Sequence, residues 1–487
     1  MLRKFHRSVE LWIVGTRFFD CGTVPTPRAR FSLLREALAG SHRDFTEGSL
    51  SRGIALLAIP TILEMGMEST FGIVDAFWVA SLGANAIAAV GLTEAIIVVV
   101  FSVSFGLAMG ATATVARRIG EKDHEGASIA AVQAIAGGLV IAVVSGILGA
   151  WFAPQLLGLM NAAPEVVRAG SGYTRVLLGG DASIILIFLI NGILRGSGDA
   201  AAAMRTLWLA NLVNLVLDPC FIFGLAFFPK LGVTGAAVAT TIGRSIGVLY
   251  QLYVLFGGKA RVSLARRHLA WNWPVLRRLL RVSSTCMIQY FVAIASWVSM
   301  ARINATFGSA AVAGYTLAIR IILFVLMPSW GICSAAATLV GQNLGAGRPD
   351  RSERAVWLGG MYNMVLLTVV GGVFFLSARL LVGCFTDDPR LVPIAVECLR
   401  YVSLGYPFYA WGMIMEQAFN GAGAAWTPTW INLFCYWMVQ IPLALWLSFH
   451  AGLGPRGVYL AICSAETLLA LVSVMLFRRG RWKTVKV

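Results

Sequence analysis

The sequence predicts an all-α membrane protein whose twelve spans form two parallel six-helix bundles, and three observations carry that prediction. First, 58% of the 487 residues are hydrophobic and 13% charged, with a mean hydropathy of +0.77. A soluble globule of this length needs more polar surface. Second, a shift of 225 residues lays the chain on itself. Leu82-Gly83-Ala84-Asn85-Ala86-Ile87-Ala88 overlies Phe307-Gly308-Ser309-Ala310-Ala311-Val312-Ala313. At the same offset Arg195-Gly196-Ser197-Gly198 overlies Asn420-Gly421-Ala422-Gly423. A constant register over more than a hundred residues means duplication, which in an apolar chain marks transporters. Third, Lys and Arg crowd one side: about 29 of the 39 fall in the tails and in alternate loops, the positive-inside pattern.

The elements follow in order. Residues 1–50 are expected to be a cytoplasmic extension without ordered structure. They are too polar for a signal peptide, and their arginines are mixed with Glu10, Asp20, Glu36, Asp44 and Glu47, unlike an organelle transit sequence. The N-lobe, 51–256, holds apolar stretches near 53–80, 86–114, 127–153, 174–194, 205–228 and 233–256, each about 20 residues or longer, enough to cross ~30 Å of hydrocarbon. Residues 257–282 form a basic cytoplasmic linker. The C-lobe, 283–478, repeats the pattern at 283–306, 311–338, 355–382, 398–419, 427–449 and 457–477, and 479–487 is a basic tail. An even number of spans per copy inserts both copies in the same orientation, with both termini in the cytoplasm of a cell inner membrane.

The net charge of +16 therefore reports topology rather than nucleic-acid binding. Eight cysteines are scattered without a CxxC pair, so no disulfide framework or metal site is expected. Neither an HExxH motif nor a His cluster nor a nucleophile with a base at workable spacing is present, which argues against an enzyme. No cofactor is expected.

The chemistry lies in charges inside the spans, because an ionisable group in hydrocarbon is costly unless it faces protein or water. Eight acids fall there: Glu64, Glu68, Asp75, Glu94, Asp181, Asp218, Glu416 and Glu466. Away from the span ends the basic residues are Arg244, Arg302 and Arg320, too few to pair every acid. On the first span Glu64, Glu68 and Asp75 stand at i, i+4 and i+11, within about 40° of one face. On the fifth, Asn211, Asn214 and Asp218 stand at i, i+3 and i+7. Two polar stripes in one half predict a wet cavity there, and an unpaired buried carboxyl that exchanges its charge for a proton suits a proton-coupled carrier. Pro60 supplies a hinge, since a proline inside a helix removes a backbone hydrogen bond. The copies disagree where chemistry is expected: Asp75, Asn214 and Asp218 overlie Met300, Val439 and Leu443, while Asn191 overlies Glu416 and Thr241 overlies Glu466.

Several stretches together resemble a known family. They are Pro60 with Val74-Asp75-Ala76-Phe77-Trp78-Val79, then Asn191-Gly192-Ile193-Leu194-Arg195-Gly196-Ser197-Gly198-Asp199, and Asn211, Asn214 and Leu217-Asp218-Pro219. Gly232-Val233-Thr234-Gly235-Ala236-Ala237, Gly341-Gln342-Asn343-Leu344-Gly345 and Gln417-Ala418-Phe419-Asn420-Gly421-Ala422-Gly423 complete the set. In order, over about residues 50–478, they resemble multidrug and toxic compound extrusion transporters, most closely the branch of the DNA-damage-inducible protein F type. The resemblance implies a V of two six-helix bundles around a central cavity, and export of organic, often cationic or amphipathic compounds by alternating access, against a proton or sodium gradient. It assigns the cation site to the N-lobe: Asp75 as the protonatable carboxylate, Asp218 and Asn214 as its partners, with Asn191 and Tyr173. The family's sixth-span threonine falls near Ala236, with Thr240 or Thr241 as a substitute. Glu64, Glu68 and Asn211 are supporting candidates.

The seventh stretch carries no acid, and Tyr409 stands where the sodium-coupled branch has a tenth-span aspartate, so the proton is favoured over sodium. Glu416 and Glu466, with Tyr409 and Trp411, are left as a substrate contact or second protonation site. Aromatic residues between Tyr406 and Trp437 suit either a wall for flat cations or an interfacial belt. The alternative function is a flippase of a lipid-linked saccharide, which would want several intramembrane arginines. Small organic substrates and the bilayer are the expected partners, and a monomer the expected state.

Overall fold

The computed structural model describes residues 27–40, 43–225, 227–258 and 260–485. These residues are helical, with no strand among them, and the twelve spans appear in the expected order. The first three are Leu50–Ala80, Ala84–Gly120 and His124–Leu159. The fourth is split into Pro164–Gly179 and Asp181–Ser197, bent by 40° at Gly180. The fifth and sixth are Ala200–Phe223 and Val233–Phe256. In the second copy the seventh to ninth are Trp273–Ala305, Ser309–Gly345 and Pro349–Gly383, and the tenth is split into Val392–Leu404 and Tyr406–Gly421. The eleventh, Trp426–His450, includes π-helical turns at Leu433–Gln440 and Trp446–His450, and the twelfth is Pro455–Arg478.

Eight of these helices are long and apolar enough to cross a membrane as single pieces, and ten when the bent fourth and eighth count as one span each. The sixth carries the polar residues Thr240, Thr241, Arg244 and Gln251, and the tenth is broken at Gly405 into pieces of 13 and 16 residues that also carry Glu397, Arg400, Glu416 and Gln417. Apolarity alone understates a span that lines a polar interior.

Helix boundaries correct the sequence expectation in two ways. Most helices outrun their apolar stretches, the second reaching from Ala84 to Gly120, because a helix continues past the hydrocarbon into its loop. The fourth span bends where Gly179 and Gly180 adjoin, and a Cβ on Gly180 would lie 2.5 Å from Thr241 Cγ2 of the sixth span. Glycine there allows both the close approach and the bend. The eighth bends by 42° between Phe324 and Leu326, four residues ahead of Pro328, which removes a helical hydrogen bond.

The extension is also more ordered than expected. Pro27–Ala39 is a helix, and Phe45, 4% exposed, is seated against Gly53 and Gly198. Residues 1–26 lie outside the described residues.

Two hydrophobic cores divide the molecule, one built mainly from spans two to six and one from spans eight to twelve. The first and seventh spans cross between them. Ile54, Leu56, Leu57 and Ala58 belong to the C-terminal core, whereas Leu279 and Met287 pack in the N-terminal one. This exchange has the duplication's own symmetry. A Cβ on Gly120 would lie 1.9 Å from the Gln342 carbonyl, and one on Gly345 would lie 2.1 Å from the Arg117 carbonyl. Likewise Gly106 abuts Met287 and Gly331 abuts Ile62. Adding 225 to the first member of each pair gives the first member of its mate, and subtracting 225 from the second does the same, so a pseudo-two-fold axis relates the lobes.

Those contacts seal the end of the molecule that carries Arg117, Arg118, Lys122 and Arg348. Gln342 Nε2 donates to the Gly196 carbonyl at 2.9 Å and Thr338 Oγ1 to the Arg195 carbonyl at 3.2 Å. Arg348 and Arg351 donate to the backbone carbonyls of Thr46, Glu47 and Gly48, tying the segment before the first span to the C-lobe. Toward the other end, Gly66, Gly72 and Gly91 have nothing within 4 Å of a built Cβ. The lobes therefore meet at the basic end and part toward the opposite one.

Candidate functional site

The N-lobe acids are placed by the first and fifth spans, whose polar stripes face each other as their spacing requires. The fourth, fifth and sixth spans then supply donors. Three nodes result along the first span, one turn or more apart.

At the node nearest the basic end, Glu64 is fully buried, and its Oε1 accepts from Asn191 Nδ2 at 3.0 Å and from Arg195 Nη1 at 2.9 Å. Asn191 Oδ1 in turn accepts from Gln251 Nε2 at 2.7 Å. At the middle node, Glu68 accepts from Asn211 Nδ2 at 3.0 Å and faces Arg244 Nη2 at 3.4 Å, while the Arg244 guanidinium also lies over the rings of Phe71 and Phe101. Both acids thus have a guanidinium.

The third node has none in contact. Asp218 is fully buried, and its Oδ1 accepts from Asn214 Nδ2 at 3.2 Å. Asn214 Nδ2 is shared with Thr240 Oγ1 at 3.1 Å. Asp75 Oδ1, Asn214 Oδ1 and Asp218 Oδ2 are buried and without a hydrogen-bond partner. Asp75 and Asp218 lie within electrostatic reach of each other, and Tyr173, 5% exposed, lies within reach of both. Three buried acceptor atoms beyond what the Asn214 amide can serve are unfavourable as they stand, since each unpaired buried polar atom costs about 1–3 kcal/mol. A proton or a small cation would satisfy them. No group of three or more His, Cys, Asp or Glu side chains that could hold a metal ion occurs among the described residues.

The structure therefore gathers Asp75, Asp218, Asn214, Thr240 and Tyr173, and sets Asn191 apart with Glu64. Pro60 lies buried within a continuous first span, one turn before Glu64. The functional residues that sequence reasoning missed are Arg195 and Gln251. Arg195 sits at the end of the fourth span, where its charge reads as a loop residue. Its proximity to Glu64, 131 positions away, leaves no mark in the sequence.

In the C-lobe, Glu416 and Glu466 lie within electrostatic reach of each other and of Tyr409. Tyr436 Oη donates to Glu466 Oε1 at 3.2 Å, and the Asn432 side chain adjoins Glu416. Glu466, Tyr406, Tyr409 and Trp297 line a small pocket. Neither acid has a basic partner among the described residues. Trp411 points elsewhere, packing on Gly360 and Trp357 of the ninth span, with Nε1 3.2 Å from Met364 Sδ. Trp426, Trp430, Phe434 and Trp437 are exposed along the eleventh span.

Known proteins share this architecture. The MatE family model matches residues 60–220 and 284–446, once per lobe. The Probable multidrug resistance protein NorM of Thermotoga maritima is 28% identical over 432 residues, covering 88% of this chain and 92% of the relative. The FAD transporter of Shewanella oneidensis is 25% identical over 438 residues, covering 88% and 95%. Among solved structures, an outward-facing conformation of a multidrug resistance MATE family transporter of the MOP superfamily superposes with a TM-score of 0.84 at 28% identity. That match covers 91% of this chain and 98% of the other.

Proposed function

The chain belongs to the MatE family of multidrug and toxic compound extrusion transporters, and from that premise we propose that it is a secondary active multidrug exporter driven by cation antiport, the proton in preference to sodium. The observation that carries the coupling is the set of three buried, unpartnered acceptor atoms at Asp75, Asn214 and Asp218. Two carboxylates in one enclosed site repel when both are charged, and a proton on either removes that repulsion and supplies the missing donor. Coupling requires only that the loaded and unloaded site favour different arrangements of the lobes, because a ligand shifts an equilibrium by its differential affinity.

The lobes supply the second state. In the arrangement described above they are sealed at the basic end, which the charge pattern assigns to the cytoplasm, and are parted toward the outside. A proton arriving from outside reaches Asp75 along the open side and neutralises the third node. The first span, which carries Pro60 within its continuous helix, then changes its packing between the two cores and the substrate is released outward. Return to the opposite state exposes the site to the cytoplasm. In this reading the protein sits in the inner membrane as a monomer, since one chain supplies both lobes, and its substrates are organic, cationic or amphipathic compounds.

The test is uptake of a fluorescent organic cation into inverted vesicles, whose lumen corresponds to the cell exterior, under an imposed lumen-acid pH gradient or an imposed lumen-high sodium gradient, each applied alone. Uptake with the pH gradient and none with sodium supports the proposal. Uptake with sodium alone would reverse the choice of ion, and none with either would remove the exporter reading.

A further inference from the structure

Glu94 of the second span and Arg320 of the eighth have opposite charges and sit on walls contributed by different lobes. Both side chains are exposed, and neither enters an ion pair or a hydrogen bond among the described residues. They do lie within electrostatic reach of each other. Under the 225-residue shift Glu94 falls on Ile319 and Arg320 on Ala95, so the two occupy near-equivalent places on symmetry-related helices. Each is about three turns from the start of its helix, at Ala84 and Ser309, roughly 15 Å along the axis and hence near the middle of the bilayer.

An exposed guanidinium at that depth is costly against lipid, so Arg320 must face a wet space. Its interaction with Glu94 across the lobes identifies that space as the cleft between them. Gly91, one turn before Glu94, has nothing within 4 Å of a built Cβ, so the second span borders open space there. Asp75 lies within electrostatic reach of Glu94 and of Arg244, and Arg244 is paired with Glu68. The N-lobe wall is thus acidic, and the C-lobe wall opposite presents a free planar cation.

We propose that Glu94 and Arg320 form a two-sided substrate site for amphoteric compounds, with a protonated amine on Glu94 and a carboxylate on the Arg320 fork. Two opposite charges that face each other without touching leave room for a molecule carrying both complements. A guanidinium offers paired donors in the geometry of a carboxylate. The site deepens the exporter reading and rests on it for its physiological role.

The probes are Nε-dansyl-lysine, which carries both charges, and its methyl ester, which carries only the amine. Binding of each is measured by dansyl fluorescence on the purified full-length protein at neutral pH, with no gradient. Wild type binds the acid about tenfold more tightly than the ester, as expected for one charge-assisted hydrogen-bonded contact. Arg320→Gln abolishes that preference while leaving the ester's affinity within about twofold, Arg320→Lys retains part of it, and Glu94→Gln weakens both probes. Retained ester binding shows that the Arg320→Gln protein is folded. The proposal is overturned when wild type does not prefer the acid, when Arg320→Gln keeps the preference, or when it weakens both probes alike. Because binding is read without transport, failure of export in vesicles would count against the exporter reading alone, and loss of discrimination against this site alone.

Discussion

The two lobes share a scaffold and differ in how they hold charge. In the N-lobe, Glu64 and Glu68 each meet a guanidinium, and the leftover acceptors collect at Asp75 and Asp218. In the C-lobe, Glu416 and Glu466 are bounded by Tyr436, Tyr409 and Asn432, with no basic partner among the described residues. Backbone contacts at Gly120 and Gly345 kept the duplication's symmetry because an added Cβ has nowhere to go. Side chains inside the bundles were free to diverge, so the chemistry became lopsided on a symmetric frame.

The largest effects are expected where the scaffold is symmetric. Gly120→Val and Gly345→Val each drive a side chain into a carbonyl of the opposite lobe, and both should reduce membrane yield and thermal stability severely and to a similar degree. A severe loss for one with little effect for the other would break the symmetry claim.

Next in size is the contrast between acids. Glu64→Gln leaves the Arg195 guanidinium, 11% exposed, without its counter-charge, and should cost about 3 kcal/mol of stability by thermal or chemical unfolding in detergent. Glu416→Gln removes a charge that has no cation to lose, so it should be neutral or stabilising in the same assay. Equal losses would erase the distinction between the lobes. Smallest is Tyr436→Phe, which deletes one hydrogen bond to Glu466 and should cost about 1 kcal/mol.

Much of this was legible in the sequence, for identifiable reasons. Spans announce themselves by apolar length, and the duplication by register, so the order of helices and the parallel repeat follow directly. Asp75 and Asp218 stood out because a charge in an apolar helix is conspicuous alone. Partnership was not legible. Whether Glu64 meets Arg195, and whether Asn191 serves Glu64 rather than Asp218, depends on how far each helix is rotated against its neighbour, which packing decides. The break at Gly180 and the π-helical turns at Leu433–Gln440 were equally silent, being responses to close neighbours rather than to local pattern.

The central claim is that coupling resides in the first copy, at the node where acceptors outnumber donors. Its most direct measurement is pH-gradient-driven uptake of the organic cation into inverted vesicles by Asp75→Asn beside Glu416→Gln, with both proteins inserted at wild-type level. The account predicts that Asp75→Asn abolishes uptake and Glu416→Gln retains most of it. Wild-type uptake by Asp75→Asn, or its loss in Glu416→Gln alone, would contradict it.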